Sequence, residues 1–355
     1  MSFSPSVLLL DEPTSALAAK EVGQLFALVR RLRQRLVTMI YITHRIPEPF
    51  QIADTSTVLR DGKLVGSIEL RKASTDGTVK MMFRDVARAT RPPRRRRQIA
   101  EPVLTVERLT RPGTFEDVSF TLHRGEILRL AGTLGASRSE VLRSIFGAER
   151  FASGDIRGAR IERPTPRGMK RRGLGYTPES RKHAGLVRVL SIHDNLCLAS
   201  LDPIAPRGFV TRAMETPYVV RQIADLSTRT NDPHLPVSSL SGGNQQKVVI
   251  GNWLNIAPRA LFFDEPSRGI DVQAKQQIFQ IVWSQAERGV AVVFVSTELE
   301  ELIEVCNRIV VLHHGRLVAK VRPGQTTLAE FHRLRMEGAP DVIEPSERPR
   351  ARSTI

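Results

Sequence analysis

The segment Gly132-Thr133-Leu134-Gly135-Ala136-Ser137-Arg138-Ser139 follows a strand-like run, Glu126 to Ala131, and precedes helical spacing through Val141, Leu142 and Ile145. A glycine-bearing turn in that position can aim successive backbone N–H groups at phosphate oxygens, at a helix N-terminus whose dipole favours anions. The usual pattern, G-x-x-x-x-G-K-[ST], adds a lysine for the phosphates and a hydroxyl for Mg²⁺. Gly132 and Ser139 meet it here, whereas Ser137 stands where glycine is expected and Arg138 where lysine is expected. Arginine keeps the charge, but its planar fork is no compact ammonium, and a Cβ at 137 crowds the backbone approach. Alone, the loop fits an ordinary strand–turn–helix connection at least as well as a nucleotide site.

Two further segments carry the same chemistry. In Leu240-Ser241-Gly242-Gly243-Asn244-Gln245-Gln246-Lys247 a Ser-Gly-Gly turn opens a helix and offers hydroxyl and backbone donors to a γ-phosphate. Close behind, the apolar strand Leu261-Phe262-Phe263 ends in Asp264-Glu265, placing one carboxylate near Mg²⁺ and one near an attacking water. In that order and spacing, a surface turn followed by an acidic strand end is a poor alternative.

The elements that must position these groups are repeated. Val7-Leu8-Leu9-Leu10-Asp11-Glu12-Pro13 matches Ala260-Leu261-Phe262-Phe263-Asp264-Glu265-Pro266 at an offset of 253 residues (264 − 11), and Gly62 matches Gly315 at the same offset. An unbroken register of this kind argues for duplicated domains. Apolar runs Val7 to Leu10 and Met39 to Ile42 suit buried strands around a helical pattern from Lys20 to Arg35, and the second copy repeats this order, so a largely parallel α/β sheet is expected. Ten residues precede Asp11, against about 160 between linker and Asp264. The expected layout is a partial first domain at 1–85, an Arg/Pro linker at 86–101, a complete domain at 102–330 and a mobile tail at 331–355.

The second copy closely resembles the C-terminal half of the tandem ATP-binding subunits of ribose- and galactose-type ABC importers. The resemblance rests on Ser241 to Lys247, on the arginine-containing loop ending Arg138-Ser139, and on Pro178-Glu179-Ser180-Arg181-Lys182 with Gly185-Leu186-Val187 behind it. Most ABC ATPases carry glutamine where Glu179 stands. It covers nearly all of residues 116–317, and residues 1–85 look like the end of the N-terminal half. The implied fold is an ABC-type P-loop NTPase, one complete nucleotide-binding domain preceded by a partial one.

The resemblance further implies ATP and Mg²⁺ as ligands, with Gly132, Gly135, Ser137, Arg138, Ser139 and Glu179 around nucleotide and Ser241, Gly242 and Gly243 as the signature. Asp11, Ser139 and Asp264 are the implied metal ligands. Glu12 and Glu265 are the implied bases, and His44 the switch histidine, whose counterpart is Thr297. In such importers each ATP lies between the phosphate loop of one half and the signature of the other, so this chain is expected to lack the first loop and first signature. The implied partners are integral membrane permease subunits, an external sugar-binding protein acting indirectly, and a separate fragment supplying the missing front. The implied location is the cytoplasmic face of the membrane.

Composition bounds these expectations. The chain of 355 residues is 41% hydrophobic and 25% charged, with room for two domains. No run of about 18 or more apolar residues occurs, which excludes a plain transmembrane helix. Cys197 and Cys306 are far apart and lack CxxC or Cys/His zinc spacing, so both are expected to be small core residues. A net charge of +16 would attract polyanions, but Arg91-Pro92-Pro93-Arg94-Arg95-Arg96-Arg97 reads as a solvated linker. A nucleic-acid-associated ATPase is therefore the weaker alternative and no nucleic-acid partner is expected. A nucleotide-binding fragment without turnover is the stronger one.

Overall fold

The computed structural model describes residues 7–14, 17, 19–43, 48–60, 63–72, 101–133, 135–157, 164–205, 208–297, 305–323, 330, 331, 333, 334 and 338. His44, Gly62, nearly all of the linker and most of the tail lie outside the described residues. The chain divides into two compact units, one built on residues 1–90 and the other on 91–270 and 274–355.

In the first unit β1 (Val7–Asp11) and β2 (Thr38–Ile42) pair in parallel, with Asp11 opposite Ile42. The helix α1 (Ala19–Gln34) connects them, and the short α2 (Pro49–Ile52) follows. Phe26 and Val29 of α1 bury against Ile52, with Leu10, Val22, Met39 and Tyr41 around them. Strand alternation then puts Val7 and Leu9 on the other face, 55% and 62% exposed. An antiparallel hairpin of β3 (Thr55–Arg60) and β4 (Lys63–Glu69) completes the unit.

The second unit is built on β5 (Pro102–Arg111), β6 (Phe115–His123), β7 (Ile127–Ala131), β8 (Ser153–Arg157), β9 (Leu174–Thr177), β10 (Ala260–Asp264), β11 (Ala291–Val295), β12 (Arg308–His313) and β13 (Arg316–Val321). They form one sheet in the order β8-β5-β6-β13-β12-β7-β11-β10-β9. Strands β9, β10, β11, β7 and β12 are mutually parallel, as the β-α-β order predicts. The other end pairs antiparallel through β8, β5 and β6, an arm that the sequence reading did not anticipate. Every residue of β7, β10 and β11 is buried, which explains the apolar runs Ala260 to Phe263 and Ala291 to Val295 without alternation; in β7 the run is interrupted by the buried Arg129.

Helices of this unit include α3 (Arg138–Phe146), α4 (Pro166–Arg171), α5 (Ile192–Cys197), α6 (Arg212–Asp225), α7 (Gly242–Leu254) and α8 (Val272–Glu287). Residues from α5, α6 and α7 share a smaller core through Ile192, Leu196, Val219, Val248 and Val249. No helix among the described residues is long and apolar enough to cross a membrane. Phe331 and Leu334, assigned to the tail on composition, are 4% and 1% exposed, so packed structure continues past residue 330. Two apolar residues at helical spacing outweigh their polar surroundings there.

The 253-residue offset carries into the structure. It maps the bounds of β1 onto β10, α1 onto α8, β2 onto β11 and β3 onto β12 without adjustment. The turn after the first strand also repeats: Glu12 N–H donates to Ile42 O at 2.9 Å and Glu265 N–H to Val295 O at 3.0 Å. Glu12 and Glu265 have φ of 43° and 48°, uncommon for residues with a Cβ.

Candidate nucleotide site

The glycine-bearing loop leaves the C-terminal end of β7 and turns into α3. Gly132 is required by packing, because a Cβ there would meet Ala136 Cβ at 2.6 Å and Leu312 O at 2.7 Å. Gly135 is required by conformation, with φ of 81° and open space around it. Ser137 also adopts a left-handed conformation, φ 61°, and its hydroxyl donates to Thr114 O at 2.7 Å. That bond fixes the residue standing where glycine was expected.

Ser139, in the first turn of α3, donates its hydroxyl to Asp264 Oδ1 at 2.7 Å. Tyr176, on the neighbouring β9, donates to Asp264 Oδ2 at 2.8 Å. The structure thus joins Ser139 and Asp264, which lie 125 positions apart in sequence. Asp264 is fully buried, and burial raises its carboxyl above the usual range, opposed by the hydrogen bonds from Ser139 and Tyr176. A buried carboxylate beside a serine hydroxyl at a helix N-terminus is a donor set suited to a hard cation such as Mg²⁺.

Glu265 is 7% exposed. Its Oε2 accepts from Thr297 N–H at 3.0 Å and Thr297 Oγ1 at 3.3 Å. Arg138 turns inward: its Nη2 lies 3.8 Å from Glu265 Oε1 and its Nη1 donates to Ser296 O at 3.3 Å. The guanidinium therefore neutralises a buried carboxylate in this structure. Phe115 is 3% exposed within the sheet core, a packing position.

A second group of predicted residues gathers through Arg181, to which sequence reasoning gave no role of its own. Its Nη1 donates to Arg268 O and its Nη2 to Gly269 O, both at 3.0 Å, while Arg268 pairs with Glu179. A Cβ on Gly242 would come within 2.8 Å of Arg181 Nη2, so a side chain there would displace the guanidinium. Ser241 caps α7, its hydroxyl accepting from the Asn244 backbone N–H at 3.5 Å and from Asn244 Nδ2 at 3.1 Å, and Gly242 and Gly243 form the first turn with their N–H groups at an anion-favouring end. Arg181 was legible only as part of a motif, since its partners lie 87 and 88 positions away.

In the first unit Asp11 and Glu12 sit exposed at the end of β1, and His44 lies outside the described residues. Beside them is a buried carboxylate that sequence reasoning missed. Glu48 accepts from Thr14 Oγ1 at 2.8 Å, Tyr41 Oη at 2.9 Å and Thr43 Oγ1 at 2.9 Å.

A nine-stranded mixed sheet, a phosphate-type loop joined through Ser139 to a buried aspartate, and a Ser-Gly-Gly helix start together define an ATP-binding cassette of the P-loop NTPase class. Residues 115–268 match the family model described as ABC transporter. Among curated relatives, the chain is 41% identical to the ribose import ATP-binding protein RbsA of Geobacillus kaustophilus, over 90% of this chain and 65% of the relative. It is 42% identical to a putative ribose/galactose/methyl galactoside import ATP-binding protein of Burkholderia ambifaria, over 93% of this chain and 65% of the relative. An uncharacterized ABC transporter ATP-binding protein of Escherichia coli, YphE, is 41% identical over 89% of this chain and 63% of its own length. The chain thus spans just under two thirds of the length of these relatives. Among solved structures, a nucleotide-free ATP-binding cassette from an ABC transporter aligns with a TM-score of 0.55 at 18% identity, covering 62% of this chain and 92% of the other.

Proposed function

We propose that this chain is the ATP-binding component of a sugar import system, with ATP and Mg²⁺ held at Gly132 to Ser139 and Asp264. The observation that carries the reading is the Ser139–Asp264 hydrogen bond, which joins two groups able to hold Mg²⁺ at the N-terminus of α3, the end of a helix that favours anions. In this reading Ser139 Oγ and Asp264 hold Mg²⁺, the loop amides hold phosphate, and Glu265 is the carboxylate next to the attacking water. Thr297 positions Glu265 through two hydrogen bonds. Arg138 leaves Glu265 for a phosphate when nucleotide enters. Ser241, Gly242 and Gly243 form a donor cluster for a γ-phosphate, and Glu179 with Arg181 carries the state of that cluster to membrane permease subunits. Asp11, Glu12 and His44 play the parts of Asp264, Glu265 and Thr297 in the first unit. The sugar class is supported by the names of the relatives, ribose and ribose/galactose import ATP-binding proteins; permease partners, an external sugar-binding protein and a cytoplasmic membrane-face location are part of the same proposal and rest on the resemblance alone.

A second reading, nucleotide binding with little turnover at the second unit, is favoured by the inward Arg138 and by threonine rather than histidine at 297. Transferring phosphoryl groups are stabilised by positioned charges, so an arginine engaged elsewhere leaves one of them out.

The test is ATP titration of the purified 355-residue chain with and without Mg²⁺. Ser139→Ala is expected to lose roughly tenfold or more of the Mg²⁺-dependent affinity, and Arg138→Ala to weaken ATP binding with or without the metal. Equal affinities for the parent and both variants would remove these residues from the site. In cells, loss of the gene should abolish uptake of one sugar class, and wild-type uptake in its absence would sink the import assignment.

A further inference from the structure

The helical layer holds a buried cluster that the nucleotide chemistry does not use. His193 and Cys197 stand four residues apart on α5, one helical turn, and Glu215 reaches them from the first turn of α6. One ligand atom from each lies within 4.8 Å of the other two. His193 is 2% exposed and Cys197 1%. Neither ring nitrogen of His193 has a hydrogen-bond partner, although its Nδ1 lies 3.8 Å from Glu215 Oε2 and 3.5 Å from Asp194 Oδ1.

A buried imidazole with both nitrogens unsatisfied is costly, and native interiors leave few such groups without a reason. The ring is also held in place: the imidazole of His234 stacks on it at 5.4 Å, and His234 Nδ1 is in turn fixed by Arg212 at 2.8 Å. Its nitrogens therefore point where the fold aims them, with Nδ1 toward two carboxylates.

We propose that His193, Cys197 and Glu215 form a binding site for a zinc ion, which clamps α5 to α6. Sulfur, imidazole nitrogen and carboxylate oxygen are the ligand types that zinc takes in tetrahedral sites. At ordinary zinc–ligand lengths, ligand atoms sit roughly 3.3–3.6 Å apart. The His193–Glu215 separation of 3.8 Å is close to that, and the 4.8 Å limit of the trio leaves about 1 Å of closure. Charge also fits. Zn²⁺ with one thiolate and one carboxylate is neutral, and the further carboxylate of Asp194 lies 3.9 Å from the Arg212 guanidinium. On binding, the Cys197 thiol gives its proton to solvent and its sulfur to the metal. The fourth position is left to water on the side of Glu215 and Asp194, whose side chains are 12% and 33% exposed and mark the way in. The site lies in the helical layer and stands or falls independently of the nucleotide reading.

The experiment uses the full 355-residue chain, stripped with a chelator and titrated with Co²⁺ as a visible stand-in for Zn²⁺. One equivalent should give the intense visible bands of tetrahedral cobalt and a near-ultraviolet thiolate-to-cobalt band, both erased by one equivalent of Zn²⁺. Cys197→Ser should lose the near-ultraviolet band, and His193→Gln should weaken Zn²⁺ binding at least ~10-fold. Glu215→Gln, the most peripheral change, should weaken Zn²⁺ binding in a chain whose circular dichroism matches the parent, whether or not the other two variants fold. Absence of cobalt bands in the folded parent overturns the proposal. So does a thiolate band that survives Cys197→Ser, which would place the metal at Cys306, or Zn²⁺ affinity unchanged in Glu215→Gln.

Discussion

Strands β1 and β10 end in the same Asp-Glu-Pro, pair with β2 and β11 in the same register and carry the following glutamate at nearly the same positive φ, yet their surroundings differ almost completely. Leu9 is 62% exposed, whereas its counterpart Phe262 is 0% exposed; Asp11 faces solvent, whereas Asp264 is buried between Ser139 and Tyr176. One face of β1 packs on α1. The strand β10 lies between β9 and β11 and packs on both faces. The backbone of the motif is thus a local property of the β-α-β sequence, while its chemistry depends on what packs around it.

The largest effect that tests this contrast is in packing. Phe262→Ala should cost about 3–5 kcal/mol in the stability of the second unit, the usual range for emptying a phenylalanine site in a core. Leu9→Ala, at the equivalent position, should change the first unit by less than about 0.5 kcal/mol, as exposed sites do. Denaturant unfolding followed by two probes, one in each unit, separates the transitions. A Leu9→Ala cost approaching that of Phe262→Ala would mean that the outer face of β1 is covered, and the contrast would collapse.

A smaller effect concerns what holds the chain after β2. In the second unit Phe294 occupies the position equivalent to Tyr41 and is packed in apolar core. In the first unit Tyr41 instead donates to Glu48, together with Thr14 and Thr43. Removing a carboxylate that accepts three hydroxyl hydrogens takes an acceptor from the buried Thr14 and from the part-buried Tyr41 and Thr43, so Glu48→Ala should cost about 2–3 kcal/mol. Tyr41→Phe removes one donor and should cost about 1 kcal/mol. If Tyr41→Phe proves as costly as Glu48→Ala, the tyrosine ring, not the carboxylate, organises this end of the unit.

How much of this was legible in the sequence follows from the range of each signal. The 253-residue offset survives because equal local sequences make equal strands and turns. Continuous apolar runs marked β10 and β11, which are buried on both faces, but the same reading of Val7 to Leu10 and Met39 to Ile42 as buried strands failed, because β1 and β2 alternate between covered and exposed positions. Ser139 and Asp264 could be paired because each belongs to a motif with a chemical role. Tyr176 and Arg181 could not, because their partners lie 88 positions away and no spacing rule connects them. Arg138 was legible as a charge, but its inward direction depends on Glu265 and Ser296. The antiparallel arm was missed because β5 pairs with both neighbours through irregular register, which interrupts simple alternation. His193 and Cys197 match neither CxxC nor a familiar Cys/His zinc spacing, since they stand one helical turn apart and the third member of their cluster comes from another helix.

The smallest effect is the most specific to the second unit, and its sign is fixed by Asp264. Burial raises the carboxyl of Asp264 above its value in the unfolded chain, and the field of Glu179 adds to the shift, against the hydrogen bonds from Ser139 and Tyr176. An acid whose folded value is raised holds its proton more tightly in the folded state. Its contribution to stability is therefore fully present below the unfolded value, roughly 3.9, and is lost as pH rises through the folded value. Asn at that position can still accept one of the hydroxyl hydrogens but carries no charge into the interior. Asp264→Asn should accordingly raise the unfolding temperature of the metal-free second unit at pH 8, and the gain should shrink as the pH is lowered toward 4. Asp11→Asn, made at a solvent-exposed strand end, should not reproduce that gain in the first unit at pH 8. Calorimetry of the parent and the two variants at pH 5 and pH 8 decides the matter. A variant at 264 that is less stable than the parent at pH 8 would show that the hydrogen bonds from Ser139 and Tyr176 outweigh burial, and that Asp264 rests in the apo chain as a stabilised anion.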